Sequence, residues 1–312
     1  VSRASDPLDT ANVLVEALPY IRRFAGKVVV VKYGGNALAG AASGDDALAF
    51  FAADVVLMRL VGMRPVVVHG GGPQISDLMS RLGIATEFRN GLRVTDAAAV
   101  DVVRMVLKGQ VNPQLVSAIN THGPYAVGVS GEDAGLIRAS ARDPELGFVG
   151  DVEAINPTIL RGLLEDEFIP VVATIGTDAS GQAYNINADT VAGAIAEALD
   201  AEKLVYLTDI EGLRRDAADA ATLIRQTTAD ELDALITDGS IAGGMIPKVE
   251  ACIRAVRHGV HRAHILDGRI PHVLLLELFT DAGIGTMVTL TPVTRPPEPA
   301  IAADAPTSPH DG

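Results

Sequence analysis

Short β-branched runs alternate with Ala- and Leu-rich stretches along this chain, and the two patterns predict different elements. Residues 28–33, 65–69, 126–129, 169–173, 204–207 and 264–266 are apolar at almost every position, as strands covered on both faces are. Between them, residues 47–61, 73–82, 97–108, 113–121, 189–199 and 248–258 carry apolar positions at helical spacing. This alternation predicts an α/β fold, a three-layer αβα sandwich around a central, mostly parallel sheet. The stretch 138–155 breaks the rhythm with short β-prone runs and turn residues, and predicts a hairpin excursion. No internal repeat is visible.

The ends of the chain have different patterns. Asp6-Pro7 reads as a helix cap and first helical residue, and Leu8, Ala11, Leu14, Leu18 and Ile21 then fall on one face. Pro19 lies inside this pattern, where it removes a backbone donor and predicts a kink. Such a helix can dock on its own domain or on another subunit. The tail from Pro292 to Gly312 is rich in Pro, Ala and Asp without apolar periodicity, and reads as disordered. The chain therefore divides into an N-terminal helix (1–26), a globular part (27–290) and a tail (291–312).

Composition narrows the class. The 312 residues are 48% hydrophobic, ample for a core, and only 4% aromatic with no Trp. A formal charge of −14 argues against nucleic acid and against an anionic membrane surface as partners. The longest apolar stretches fall far short of the roughly 20 residues of a membrane span. Asp6, Asp9 and Glu16 stand where a signal peptide would turn apolar, so a soluble, cytoplasmic protein is expected. The single cysteine, Cys252, excludes an intrachain disulfide and a Cys-rich metal site, and reads as a small buried hydrophobe in a helix. An acidic chain with an anionic substrate must gather its few cations locally.

Three Gly-rich turns follow predicted strands: Lys32-Tyr33-Gly34-Gly35-Asn36, His69-Gly70-Gly71-Gly72-Pro73, and Thr208-Asp209-Ile210-Glu211-Gly212. Glycines allow close backbone approach, a following helix start offers free N–H groups, and open α/β sheets bind ligands at strand C-terminal ends. Tight turns alone would look similar, but three of them with a strand-end lysine point to an anion or phosphate site. The P-loop, the dinucleotide G-x-G-x-x-G, the G-x-S-x-G elbow and H-E-x-x-H are all absent. His258, His261 and His264 straddle a predicted helix end at Gly259 and a strand, so they would point apart, and no metal site is expected. Tyr184-Asn185-Ile186-Asn187-Ala188-Asp189 brings two amides beside a carboxylate at a helix start, where Asp189 could act as the cap. Gly243-Gly244-Met245-Ile246-Pro247-Lys248 puts a lysine in a first helical turn, against the helix dipole, so an anion is expected nearby. Arg93, beside the Asn90-Gly91 turn, could clamp a carboxylate in bidentate fashion.

Together these ordered motifs resemble the amino acid kinase superfamily and, within it, the N-acetyl-L-glutamate kinases of arginine biosynthesis. The resemblance runs from about Tyr20 to Leu290, with no departure at a motif position. It implies the amino acid kinase fold, with an acetylglutamate-binding and dimerisation lobe at about 27–190 and an ATP-binding lobe at about 191–290. It implies transfer of the γ-phosphoryl of ATP to the side-chain carboxylate of N-acetyl-L-glutamate, with Mg²⁺ carried on the ATP phosphates. By the same resemblance Lys32 and Lys248 are the transition-state cations and Asp189 holds both. Gly71, Gly72, Arg93, Asn185 and Asn187 fall on the substrate side; Gly34, Gly35, Asp209, Gly212, Leu213, Gly244 and Met245 fall on the ATP side.

The arginine-inhibited branch of that family carries a kinked N-terminal helix and a C-terminal stretch like 264–286. The resemblance therefore makes Tyr20, His264, Glu277 and Gly283 candidate contacts for L-arginine as inhibitor, and implies a homo-oligomer, a hexamer of three dimers tied by these helices. Two rivals remain. One is a kinase of another, carrier-linked amino-acid carboxylate, which would differ around Arg93. The other is a non-catalytic arginine sensor, disfavoured because Lys32, Lys248 and Asp189 are all present.

Overall fold

The computed structural model describes residues 7–34, 44–89, 91–216, 219–241, 245–280 and 283–292. Asp6, Gly35, Gly244 and the tail beyond residue 292 lie outside the described residues. Eight strands form the main sheet: β1 (Val28–Tyr33), β2 (Arg64–His69), β5 (Ala126–Ser130), β8 (Ile169–Ala173), β11 (Lys203–Thr208), β12 (Gln226–Thr228), β13 (Arg262–Asp267) and β14 (Thr286–Thr289). Their order is β12-β14-β13-β11-β1-β2-β8-β5, and only the β13–β14 pair is antiparallel. All six strands expected from apolar runs are present, two with the expected bounds and four longer by one to three residues.

Helices cover both faces, which makes the three layers. Alternation along β1 shows why: Val29, Val31 and Tyr33 enter one core while Val30 enters the other. The first core receives α2 (Gly44–Leu60), α3 (Gly72–Arg81), α4 (Ala97–Val106) and α5 (Asn112–Asn120). The second receives α6 (Thr158–Glu165), α7 (Ala188–Ala198), α8 (Ala229–Thr237) and α9 (Ile246–Arg257). The expected hairpin is the antiparallel pair β6 (Ile137–Ala141) and β7 (Val149–Ile155). With β9 (Ile175–Thr177) and β10 (Ala183–Ile186) it closes a small barrel above the end of the sheet, while β3 (Phe88–Arg89) and β4 (Leu92–Arg93) form a separate ribbon.

Two expectations are refined. Residues 97–120 form one continuous helical segment, because a π-helical turn at Leu107–Val111 joins α4 to α5. The wider turn sits just before Pro113, which has no N–H to give. Second, α1 (Pro7–Phe24) is a single helix with Pro19 inside it, and its C-terminal end meets the domain. Phe24 is buried and Tyr20 packs against the core, yet Leu8, Leu14 and Leu18 stay more than half exposed. The apolar stripe of α1 is thus not spent on its own domain. The last helix, α10 (Val273–Phe279), and β14 complete the fold.

Candidate active site

The crevice lies where the chain reverses direction across the sheet. From β1 it builds outward to β2, β8 and β5, then returns to add β11, β13, β14 and β12 on the other side. Ligand clefts in open α/β sheets form at such switch points, beyond the strand C-terminal ends. A cleft of 390 Å³ opens there, lined by Lys32, Gly71, Arg93, Asn185, Asp189 and Lys248 among others. Gly34, Gly70, Gly72, Asn187 and Asp209 also border it.

Asp189 is its electrostatic centre. Oδ1 lies 2.9 Å from the Lys32 Nζ, and Oδ2 accepts a hydrogen bond from the Lys248 Nζ, also at 2.9 Å. The Lys32 contact is a charge contact rather than an aligned hydrogen bond. Burial alone would push the Asp189 carboxyl up; Lys32 and then Lys248 outweigh it and hold the group below the usual carboxylate range. The cluster carries one positive charge in excess, and it faces the cleft.

Local structure explains how Asp189 is free for this. Asn187, not Asp189, caps α7: its Oδ1 accepts from the backbone N–H of Asp189 at 2.7 Å and of Thr190 at 3.3 Å. Asp189 stands two residues further in, so its carboxylate turns to the lysines. The buried Tyr206 hydroxyl donates to the Asp189 carbonyl at 3.1 Å and pins the main chain from below. Lys32 comes from the penultimate position of β1, on the face shared with Val30. Lys248 comes from the first turn of α9, and the anion that its position requires is Asp189 itself. Gly34 passes so close that a Cβ there would lie 3.3 Å from the Lys32 Nζ.

Arg93 is buried at the opposite wall. Its Nη2 donates to the Gly72 carbonyl at 3.1 Å and to Ser76 Oγ at 2.7 Å, and the guanidinium lies over the Phe88 ring. Among the described residues no carboxylate pairs with it. Burial pushes its pKa down from the ordinary value, but a guanidinium stays charged. A buried cation held only by neutral groups is a ready partner for a carboxylate ligand. Asn185 lies across the cleft, with its amide 3.4 Å from Thr95 Oγ1.

A second cleft of 370 Å³ adjoins the first at Asp209. It is lined by Gly212, Leu213, Arg214, Ile241, Met245 and Arg269 among others. Gly212 adopts φ +146°, and a Cβ there would lie 2.8 Å from Thr286 Oγ1, so the turn requires glycine. Arg269 was not anticipated; Asp267 grips it through two hydrogen bonds of 2.8 and 2.7 Å. Among the described residues no group of three or more His, Cys, Asp or Glu could hold a metal ion.

Tyr20, His264, Glu277 and Gly283 lie away from both clefts. His264 and Glu277 meet at 2.9 Å beside Lys203, which reaches Glu277 at 3.5 Å. Burial drives the His264 ring down to about 4. Burial also opposes ionisation of Glu277, yet its bond to His264 and the charge of Lys203 bring it down to about 2. Gly283 has φ +53° and accepts from Arg225 at 2.9 Å. Sequence reading missed Lys203, Tyr206 and Arg269. Lys203 alone had a signal, a lysine opening an apolar strand.

A parallel-sheet crevice with backbone amides and a surplus of buried cations suits transfer of an anionic group between two anions. Comparison with known proteins gives the family: residues 27–267 match the model of the amino acid kinase family, and the chain belongs to it. A curated acetylglutamate kinase of Jannaschia sp. (strain CCS1) is 55% identical over 91% of this chain and 97% of its own length. N-acetylglutamate synthase from Neisseria gonorrhoeae, solved with coenzyme A and N-acetyl-glutamate, superposes with a TM-score of 0.78 at 28% identity. That alignment covers 91% of this chain but only 64% of the synthase chain. Carbamate kinase from Giardia lamblia bound to AMP-PNP shares the fold, with a TM-score of 0.62 at 18% identity, over 85% of this chain and 99% of its own.

Proposed function

We propose that this chain phosphorylates the side-chain carboxylate of N-acetyl-L-glutamate with ATP, as an acetylglutamate kinase. The observation that carries the reading is one buried carboxylate, Asp189, holding two lysines at the rim of a cleft whose far wall presents Arg93, which meets no carboxylate among the described residues. The 55% identity to a curated acetylglutamate kinase supports it.

The acceptor carboxylate is ionised at neutral pH, so the step needs no general base. An acceptor oxygen forms a bond to the γ-phosphorus while the bond to the β,γ-bridging oxygen breaks, and ADP leaves with that electron pair. No proton moves. Lys32 and Lys248 neutralise charge on the transferring oxygens, and Asp189 keeps the two ammonium groups in register. Arg93 takes the α-carboxylate of the acceptor; Gly71, Gly72, Asn185 and Asn187 border the same site. Gly34 and the 209–213 turn, with Met245, serve the nucleotide. Mg²⁺ comes with the ATP phosphates, retaining much of its water.

On this reading 27–190 is the acetylglutamate lobe and 191–290 the ATP lobe, the two sharing one sheet. We further read Tyr20, His264, Glu277 and Gly283, with Lys203 beside Glu277, as the L-arginine contact that makes the enzyme feedback-inhibited. Supporting it, the Neisseria synthase has also been solved with coenzyme A and L-arginine, at a TM-score of 0.75 and 27% identity. The exposed stripe of α1 fits a homo-oligomer, a hexamer in the fullest form of the reading. No described helix is long and apolar enough to cross a membrane, and we place the enzyme in the cytoplasm.

Hydroxylamine trapping of the acyl phosphate, run with acetylglutamate, glutamate, aspartate and carbamate, tests the reading. Hydroxamate from acetylglutamate and MgATP is expected, diminished by arginine. None from acetylglutamate would overturn the assignment.

A further inference from the structure

His69 ends β2 immediately before the Gly70-Gly71-Gly72 turn, fully buried, and nothing in the phosphoryl-transfer step uses it. Its Nδ1 lies 2.9 Å from the Gly70 carbonyl, and its Nε2 lies 3.0 Å from the Asn112 Nδ2. A carbonyl only accepts, so Nδ1 carries the proton; Nε2 is then bare and accepts from Asn112. The second N–H of the same amide donates to the Val171 carbonyl at 2.8 Å. Both nitrogens and both amide hydrogens are used, and the ring has one consistent tautomer.

The surrounding packing is built around this bond. Asn112 leaves the π-helical turn, whose Leu107 and Val111 press directly under the glycine turn: a Cβ on Gly71 would lie 2.7 Å from Leu107 Cδ2 and 3.1 Å from Val111 Cγ2. On the far side β5 makes room for the amide, since a Cβ on Gly128 would fall 2.0 Å from Asn112 Oδ1. The π turn therefore supplies both the floor of the turn and the clamp on its histidine. π-helical turns recur at functional sites for this kind of re-aiming.

The consequence runs through one peptide unit. The Gly70–Gly71 peptide is planar and trans, so its C=O and N–H point to opposite sides. Holding the Gly70 oxygen toward the core turns the Gly71 N–H toward the cleft, at the N-cap of α3. We propose that His69, fixed by Asn112, is a positioning residue for phosphoryl transfer, its Nδ1–H locking the Gly70 carbonyl so that the Gly71 amide faces the transferring group. The inference rests on the reading of this cleft as the phosphoryl-transfer site.

Two substitutions separate the two bonds. In His69→Asn the short amide can still donate to Gly70 but no longer meets Asn112. In His69→Gln the longer side chain can still accept from Asn112 but releases Gly70. If the Gly70 bond positions the turn, His69→Asn keeps kcat within about threefold of wild type while His69→Gln loses on the order of 10²-fold. A merely structural tie between β2 and α5 gives the reverse ranking. Equal kcat for wild type and His69→Gln, or the reverse ranking, overturns the proposal. Imidazole ¹⁵N shifts of the wild type test it without any turnover: a protonated Nδ1 and bare Nε2 are expected, and the opposite tautomer overturns it. Absence of hydroxamate in the wild type would instead sink the substrate assignment, leaving the tautomer result to stand or fall alone.

Discussion

Asp189 is a buried carboxylate and Glu277 a largely buried one, each shared between basic side chains of the same parallel-sheet fold. Asp189 meets two lysines, Lys32 and Lys248, so its cluster sums to one positive charge. Glu277 meets Lys203 and the neutral His264, so its cluster sums to zero. The first borders a 390 Å³ cleft beyond the strand ends; the second takes its carboxylate from α10, with the Ile284 N–H adding a hydrogen bond at 3.2 Å. Unbalanced charge is kept where an anion can enter and complete it. Balanced charge is kept at the cluster read above as the L-arginine contact, where no anion has to be drawn in.

The sharpest way to break this contrast is to remove the surplus. Lys32→Met and Lys248→Met should each lower kcat by about 10²–10³-fold at saturating substrates, the loss expected for a preorganised charge-stabilising donor. Near-normal turnover in both would end the role given to this cluster. Next in size, Asp189→Asn leaves two ammonium groups facing each other in a buried site. It should destabilise the fold by roughly 3–5 kcal/mol, read as a shifted denaturant midpoint. Glu277→Gln should cost less, about 1–3 kcal/mol, because Lys203, already brought down to about 8 by burial, can shed its proton. Equal losses at the two sites would mean that their charge sums do not matter.

Acid distinguishes the clusters more gently. His69 and His264 both sit near 4 in the folded protein because burial disfavours the imidazolium. Between pH 6.5 and 4 the unfolded chain binds protons that the folded chain refuses, so stability falls as pH falls. Each histidine contributes on the order of 3 kcal/mol across that window. Asp54, raised to about 6 by burial, opposes part of this, since it takes up its proton earlier in the folded state than in the unfolded. Glu277 adds a further loss between its ordinary value and about 2. Thermal unfolding across pH should show the net decline, and a flat profile from 6.5 to 4 would contradict both buried rings. The smallest effect on stability belongs to Leu14→Asp in α1: within about 0.5 kcal/mol for an exposed side chain. Its sedimentation coefficient should nevertheless drop, and an unchanged one would deny the helix any part in assembly.

The sheet was readable because its strands are buried on both faces, which leaves uninterrupted apolar runs. Less readable were elements whose signals are short or shared. α8 begins with the capping box Thr228–Glu231, a pattern legible in principle, but α6 has only eight residues and α10 opens as a plain apolar run. At the site, the cations and glycines stood out as residue types in the wrong surroundings for a core. Their partners did not. Asn187 taking the cap from Asp189, Tyr206 reaching up to its carbonyl, and His69 meeting Asn112 across 43 residues are products of tertiary packing. No local spacing encodes them. Burial likewise separated the three histidines as expected: His258 and His261 are exposed on the surface, while His264 is enclosed.

Cys252 is the only thiol in the chain, and it lies on α9, one turn beyond Lys248, with no exposed surface. Burial, with Asp189 nearby, pushes its pKa well above the ordinary value, so the reactive thiolate is suppressed as well as hidden. A sulfhydryl reagent can therefore label the native protein only when α9 lifts from α7 and β13. Each labelling event counts one excursion of the helix that carries Lys248, giving a one-site clock for its breathing that needs no introduced probe.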